Sequence, residues 1–253
     1  MNRLQVTAPL VHMRKEPSDA AELVNQALFG ETVEAAPASG GWSEVCTADG
    51  YTGFCETKFL DGRDATSPDA GTGSAAFVTA RESRLLSGGS DEPVMRLSYG
   101  SRIALAPDYA DGSDPVVTLP EYGRESSRRI PVADVVLPGA MAPAGATPDA
   151  ILAEAVKFLG VPYLWGGRSA WGVDCSGLVQ LVFARFGIAI ARDSRDQFLA
   201  GEAVSGDPAA GDLLFFGRER VTHVGFARGD GTFLHASGWV RVNSLDPASP
   251  VAR

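Results

Sequence analysis

Apolar and polar positions follow two different patterns along this chain. Up to about residue 137, short apolar runs alternate with Gly, Pro, Asp and Ser, without a sustained 3.6-residue period. That pattern predicts short strands joined by turns. ALFGETV at 27–33 and LSYGSRI at 97–103 repeat one another: apolar residues, an aromatic, a glycine, then a β-branched residue at the same offset. Each precedes a second strand-like run, GWSEVCT at 41–47 and DPVVTLP at 114–120. A repeat of this length built from short strands predicts two small β-barrels in tandem, at about 1–65 and 74–140. The stretch between them, DGRDATSPDAGTGSAA at 61–76, has the composition of a linker.

After PGAMAPAGATPDA at 138–150 the pattern becomes helical. Thr147 suits an N-cap, Pro148 the first helical position, and Asp149 the positive end of the helix dipole. ILAEAVKFLG then supplies an apolar face and a glycine stop. LVQLVFARFG at 178–187 is apolar nearly all round, as a buried central helix should be. LLFF (213–216), HVGFA (223–227) and TFLHAS (232–237) read as successive strands. Residues 147–253 are therefore expected to form an α+β unit, helices first and an antiparallel sheet after.

Charge narrows the partners. The net charge is −9 and no Lys/Arg block occurs, which argues against nucleic acid and against an anionic membrane surface. The opening MNRLQVTAPLVHMRKEP has no apolar core of a signal peptide, and no run approaches the length of a membrane span. The expectation is a cytoplasmic protein. Of the three cysteines, Cys46 and Cys55 flank an Asp49-Gly50 turn and read as two small buried residues on one hairpin. Neither has zinc-ligand spacing with a histidine, so no metal and no cofactor are expected.

The third cysteine stands in GVDCSGLVQ at 172–180, where the buried helix should begin. There the unpaired N–H groups and the dipole favour a thiolate and should lower the thiol's pKa. Gly172 and Gly177 allow a sharp turn and the close approach of another segment. Only three histidines occur, and two of them, His223 and His235, straddle the turn signal RGDG at 228–231. A three-residue loop Gly229-Asp230-Gly231 pairs Gly225 with His235 and puts both histidines on one face of the hairpin. Cys175 is then the candidate nucleophile, His223 the general base and later acid, and His235 the residue that orients His223. A core cysteine and two half-buried histidines explain the same spacing almost as well.

YLWGG (163–167), DCSGLVQ (174–180), ARDSRDQ (191–197), GDLLFF (211–216), HVGF (223–226) and LHAS (234–237) together resemble the NlpC/p60-type cell-wall cysteine peptidases, a papain-like fold. WSEV followed by DGYTGF at 49–54 resembles the bacterial SH3-like barrels that precede some of these domains. The resemblance implies a Cys-His-His triad at Cys175, His223 and His235. It also implies cleavage of the γ-D-glutamyl–diamino acid bond in murein peptides with a free N-terminal L-alanine. A buried ammonium needs a carboxylate and further acceptors. Asp174 is the candidate partner, with Ser176, Ser194 and the Tyr163 hydroxyl around it, and Tyr51 and Glu31 are the matches from the first barrel. Helix capping is the bland reading of Asp174 and Ser176 and does not exclude the ammonium role; for Tyr163 the alternative is an oxyanion hole shared with the Cys175 N–H. Arg192 and Asp193 read as a surface or supporting pair. An exported hydrolase of intact wall, a passive wall-binding module and an acyl transferase remain competing readings.

Overall fold

The computed structural model describes residues 1–62, 75–87, 89–105, 113–121 and 124–250. Its internal contacts divide the chain into two units, Met1–Met141 and Ala142–Arg253. Most of the linker-like stretch at 61–76 lies outside the described residues. Among the described residues, no helix is long and apolar enough to cross a membrane.

The first unit contains two small barrels. The first comprises β1 (Asn2–Val6), β2 (Leu10–Arg14), β3 (Leu23–Leu28), β4 (Thr32–Pro37), β5 (Trp42–Cys46), β6 (Thr52–Glu56) and β7 (Leu60–Asp61). Its sheet order is β3-β2-β6-β5-β4-β1-β7. The second comprises β8 (Ala75–Val78), β9 (Glu82–Ser87), β10 (Pro93–Ser98), β11 (Arg102–Ala104), β12 (Val116–Glu121), β13 (Arg124–Arg129) and β14 (Val135–Val136). These form two sheets, β10-β9-β13-β12 and β11-β8-β14.

The sequence repeat recurs as repeated backbone bonding. Gly30 N donates to Val6 O at 2.9 Å, and Gly100 N to Val78 O at 3.0 Å. Val6 N in turn donates to Glu31 O at 2.9 Å, and Val78 N to Ser101 O at 3.0 Å. Both glycines occupy the left-handed region, with φ of 77° and 95°, where a β-carbon is strained. The barrels also share a core residue. Phe29, from the turn of the first, packs into the second among Ala76, Val78, Leu85, Leu97, Ile103 and Ile130. Arg102 N donates to Phe29 O at 2.8 Å, and a β-carbon on Gly30 would come within 1.9 Å of Arg102 O.

Cys46 and Cys55 lie on the β5–β6 hairpin, but Cys46 is opposite Thr52 and Cys55 opposite Ser43. Only Cys55 faces the barrel core, and all three thiols of the chain are free.

The second unit opens with α1 (Pro148–Val156), whose N-cap Thr147 accepts from Ala150 N at 3.3 Å. A short hairpin of β15 (Arg168–Ser169) and β16 (Gly172–Val173) leads into α2 (Cys175–Ala184). Helix α2 is buried along most of its length, and Gly187 (φ 68°) follows its end. A second short helix, α3 (Ser194–Ala200), follows; the sequence pattern had not indicated it. The sheet is antiparallel, in the order β17 (Leu213–Gly217), β18 (Val221–Ala227), β19 (Thr232–Ser237), β20 (Trp239–Ser244). Three of these strands fall where expected; the edge strand β20 is an addition. Phe183 of α2 stacks on Phe226, and Phe198 of α3 meets Phe215 edge-on. One face of the sheet is thereby sealed by helices while the other carries the histidines.

Candidate active site

The hairpin between β18 and β19 has the anticipated three-residue loop. Gly229 and Gly231 both take φ of 77°, and Arg228 N donates to Thr232 O at 3.0 Å across its base. Gly225 pairs with His235. A β-carbon at Gly225 would lie 2.9 Å from that of His235, so glycine is what admits the imidazole. The two histidines then meet on one face, with His223 Nε2 2.7 Å from His235 Nδ1 and the rings nearly perpendicular. His235 is wholly buried and His223 nearly so.

Cys175 is the first residue of α2, and its sulfur is held by the backbone N–H groups of Val224 and Ser176. Val224 directly follows His223, so the helix that opens with Cys175 is docked against the strand of His223. The thiol pKa moves opposite to the lowering expected from the helix start. Burial, reinforced by the Asp174 charge, pushes the Cys175 thiol above its ordinary value, outweighing the opposing pull of the two N–H groups and Arg192. A thiol held protonated needs a neighbouring base to become a nucleophile.

Asp174 takes the capping role expected of it and more. It is the N-cap of α2, with Oδ1 accepting from Gly177 N at 2.7 Å and from Ser176 Oγ at 3.3 Å. Oδ2 accepts from Gly166 N at 3.0 Å. Both oxygens also accept from Arg192, Nη1 to Oδ1 at 2.9 Å and Nη2 to Oδ2 at 2.6 Å. The roughly four lone-pair sites of a carboxylate are thus occupied by protein groups. Capping and ion pairing are the contacts that the structure gives Asp174, and they do not exclude an ammonium partner. The Ser176 hydroxyl joins the same network, since it also accepts from Arg192 Nη1 at 3.1 Å. Arg192 is 3% exposed and belongs to this network, and Asp193 is exposed at the start of α3.

The YLWGG loop closes over the same helix start. Gly167 O accepts from Asp174 N at 3.0 Å, and a β-carbon on Gly177 would sit 2.3 Å from that oxygen. Tyr163 N donates to Gly238 O at 2.8 Å, tying the loop to the β19–β20 turn. The Tyr163 phenol is pushed up to about 12, chiefly by burial and then by Cys175 and Asp174, so it is a hydrogen-bond donor at neutral pH. Ser194 is buried at the first turn of α3, whose Gln197 donates Nε2 to Ser176 O at 3.1 Å and to Ala191 O at 2.8 Å. Glu31 and Tyr51 belong to the first unit. There Glu31 Oε2 accepts from Leu28 N at 2.9 Å, and Tyr51 O accepts from Thr47 N across the β5–β6 turn.

Of the two expected places for Arg192, surface or supporting, the structure shows the second. One further polar residue of this site was not singled out from sequence. Asn243, on β20, sets Oδ1 2.8 Å from His235 Nε2. The signal for Asn243 was present: a buried amide in the otherwise alternating strand WVRVNS.

A cysteine opening a buried helix, bonded to the backbone of the antiparallel strand that carries one of a histidine pair, is a papain-like arrangement, here preceded by two SH3-like barrels. Residues 160–250 match the NlpC/P60 family, and residues 13–60 match the bacterial dipeptidyl-peptidase Sh3 domain. A gamma-D-glutamyl-L-lysine dipeptidyl-peptidase of Bacillus cereus is 30% identical over 239 residues, covering 87% of this chain and 68% of that protein. Its namesake in Bacillus subtilis is 45% identical over 95 residues, 36% of this chain; that alignment spans only 32% of the longer relative. A solved NlpC/P60 family protein from Bacillus cereus shares the fold over 99% of this chain and 96% of its own, with a TM-score of 0.84 at 23% identity. The chain belongs to the NlpC/P60 family.

Proposed function

We propose that this chain is a cysteine endopeptidase that hydrolyses the γ-D-glutamyl–diamino acid bond of murein stem peptides carrying a free N-terminal L-alanine. The observation that carries the reading is the placement of Cys175 against the strand of His223, with His235 behind it. The names of the two Bacillus relatives support the substrate class.

In this mechanism His223 takes the thiol proton, and the Cys175 sulfur attacks the γ-glutamyl carbonyl. The Cys175 backbone N–H and the Tyr163 hydroxyl are the proposed donors to the oxyanion. Collapse of that intermediate breaks the C–N bond, and His223 returns the proton to the departing amine. A water, deprotonated by the same histidine, then cleaves the thioester and frees the L-Ala-D-Glu dipeptide and the thiol.

Such an enzyme fits recycling of peptides already freed from sugar, in the cytoplasm. Asp174, Ser176, Ser194 and Tyr163 are the proposed groups for reading the free terminus, with Glu31 and Tyr51 as the candidates from the first barrel. The test is hydrolysis of L-Ala-γ-D-Glu-meso-diaminopimelate and its L-lysine counterpart beside their N-acetylated forms, with Cys175→Ala as blank. Cleavage of the free peptides alone is expected. Equal cleavage of the acetylated forms would point instead to intact wall, and no cleavage of either would remove the peptidase reading.

A further inference from the structure

The buried imidazole of His235 has a different neighbour at each nitrogen: Nδ1 is 2.7 Å from His223 Nε2, and Nε2 is 2.8 Å from Asn243 Oδ1. We infer that Asn243 is a positioning residue whose side-chain carbonyl fixes the tautomers of both histidines and thereby makes His223 a base toward Cys175.

A carbonyl oxygen can only accept, so His235 carries its proton on Nε2. Its Nδ1 is then an acceptor, which requires His223 to carry its own proton on Nε2. The proton-accepting nitrogen of His223 is thus Nδ1, not the one committed to His235. Reversing the chain removes the base. With His235 protonated on Nδ1, His223 must accept through Nε2 and carry its proton on Nδ1, and it can no longer receive one from the thiol. Because burial holds that thiol protonated, the orientation decides whether the nucleophile forms.

The placement of Asn243 fits this role. On β20 it lies opposite Phe233, two residues from the His235 position and on the same face, so the diagonal contact follows from strand register. It is 5% exposed, and an amide buried there is costly without partners. The Phe233 ring flanks the His235 ring at 4.6 Å, shielding the contact from water.

The last step of the inference rests on the peptidase reading; the tautomers do not. The test uses the full chain, ¹⁵N-labelled, as wild type, Asn243→Ala and Asn243→Asp. Histidine tautomers are read by NMR, Cys175 alkylation by iodoacetamide is followed against pH, and kcat and KM are measured on L-Ala-γ-D-Glu-diamino acid peptides. In the wild type both histidines are expected as the Nε2–H form. Asn243→Ala should populate Nδ1–H on His235 and lower both neutral-pH alkylation and kcat on the order of 10²-fold, with KM within about twofold. Asn243→Asp restores an acceptor. It should keep Nε2–H, recover most of the alkylation rate, and move the acid limb to higher pH because a carboxylate favours the imidazolium.

An Nδ1–H His235 in the wild type would overturn the inference, as would unchanged tautomers and rates in Asn243→Ala. Equal losses in both variants with a lower unfolding midpoint would reduce Asn243 to a structural residue. If Asn243→Ala fails to fold, the wild type and Asn243→Asp decide. Should the peptides resist cleavage while the tautomer and alkylation results hold, the substrate reading fails and the role of Asn243 stands.

Discussion

Arg192 grips Asp174 with both ends of its guanidinium, at 2.9 and 2.6 Å, one residue ahead of the candidate nucleophile. The two residues are 18 apart in sequence, so the pair clamps the segment before α3 onto the start of α2. Because the pair is buried, removing one partner leaves a charge without compensation. Arg192→Ala is expected to cost about 3–5 kcal/mol of stability, more than loss of a surface pair. Arg192→Lys should recover only part of it, since an ammonium cannot make the two-pronged contact. Denaturant unfolding of the three proteins measures this; a loss under about 1 kcal/mol for Arg192→Ala would show the pair to be dispensable.

Gly225 is the residue that lets the two histidines meet. A β-carbon there would lie 2.9 Å from both the His235 β-carbon and Leu234 O. Gly225→Ala should therefore displace the His235 ring and lower kcat by about 10²-fold, with a smaller effect on KM. A variant with wild-type turnover would mean that the strands absorb the methyl group without moving the rings.

The position of the histidines was legible because it depends on a local rule. Side chains alternate along a strand, and an odd loop between Arg228 and Thr232 fixes their common face. The capping of α1 by Thr147 was legible for the same reason. What escaped depends on segments distant in sequence or on burial. No spacing rule brings Arg192 to Asp174, and a helix-start argument sees the dipole at Cys175 but not its desolvation. Asn243 escaped because β20 runs into the polar NSLDP stretch, and an edge strand beside a polar tail looks like the tail's beginning. Helix α3 spans seven residues, too short for periodicity to reveal.

Activation of Cys175 has a pH signature. Burial and Asp174 raise the thiol, so on the proposed mechanism thiolate at neutral pH comes from proton transfer to His223. In His223→Ala, alkylation at pH 7 is expected to fall on the order of 10²-fold and to recover only as pH rises beyond the ordinary thiol range. The measurement is the iodoacetamide rate across pH, with Cys175→Ala to subtract Cys46 and Cys55. A profile unchanged by His223→Ala would exclude that histidine as the base.

Stability should also fall on the alkaline side, and Cys55 is the main reason in the first barrel. Burial, with a smaller contribution from Glu56, pushes its thiol from 9.0 up to about 12. Between those values the folded chain keeps the proton while the unfolded chain releases it. Folding therefore binds more protons, and stability is lost as pH rises through the window, approaching about 1.4 kcal/mol per pH unit from this group. Below the unfolded value both states are protonated and the group has no effect. Cys175 and Tyr163, also raised, act in the same direction. Cys55→Ala should flatten the fall, at the expense of a small cavity beside Val45 and Met13, which belong to the same core. Unfolding curves at pH 8, 9.5 and 10.5 make the comparison, and equal slopes in wild type and variant would disprove it.

The shared core of the barrels yields a last expectation. Phe29 belongs to the first barrel by sequence but fills the second, and Arg102 N bonds to its carbonyl at 2.8 Å. Truncating it removes packing from the second barrel while leaving the backbone bond to Arg102 in place. Phe29→Ala should cost about 3–5 kcal/mol, with both barrels melting in one transition or the second melting first. Gly30→Ala tests the contact separately: its β-carbon would sit 1.9 Å from Arg102 O and in a left-handed backbone, so strand β11 must move away. Hydrogen exchange resolves the two cases. Faster exchange at Ala76, Leu97 and Ile103 in both variants is the expected result. Faster exchange confined to β3 and β4 would show that the first barrel, and not the second, depends on Phe29.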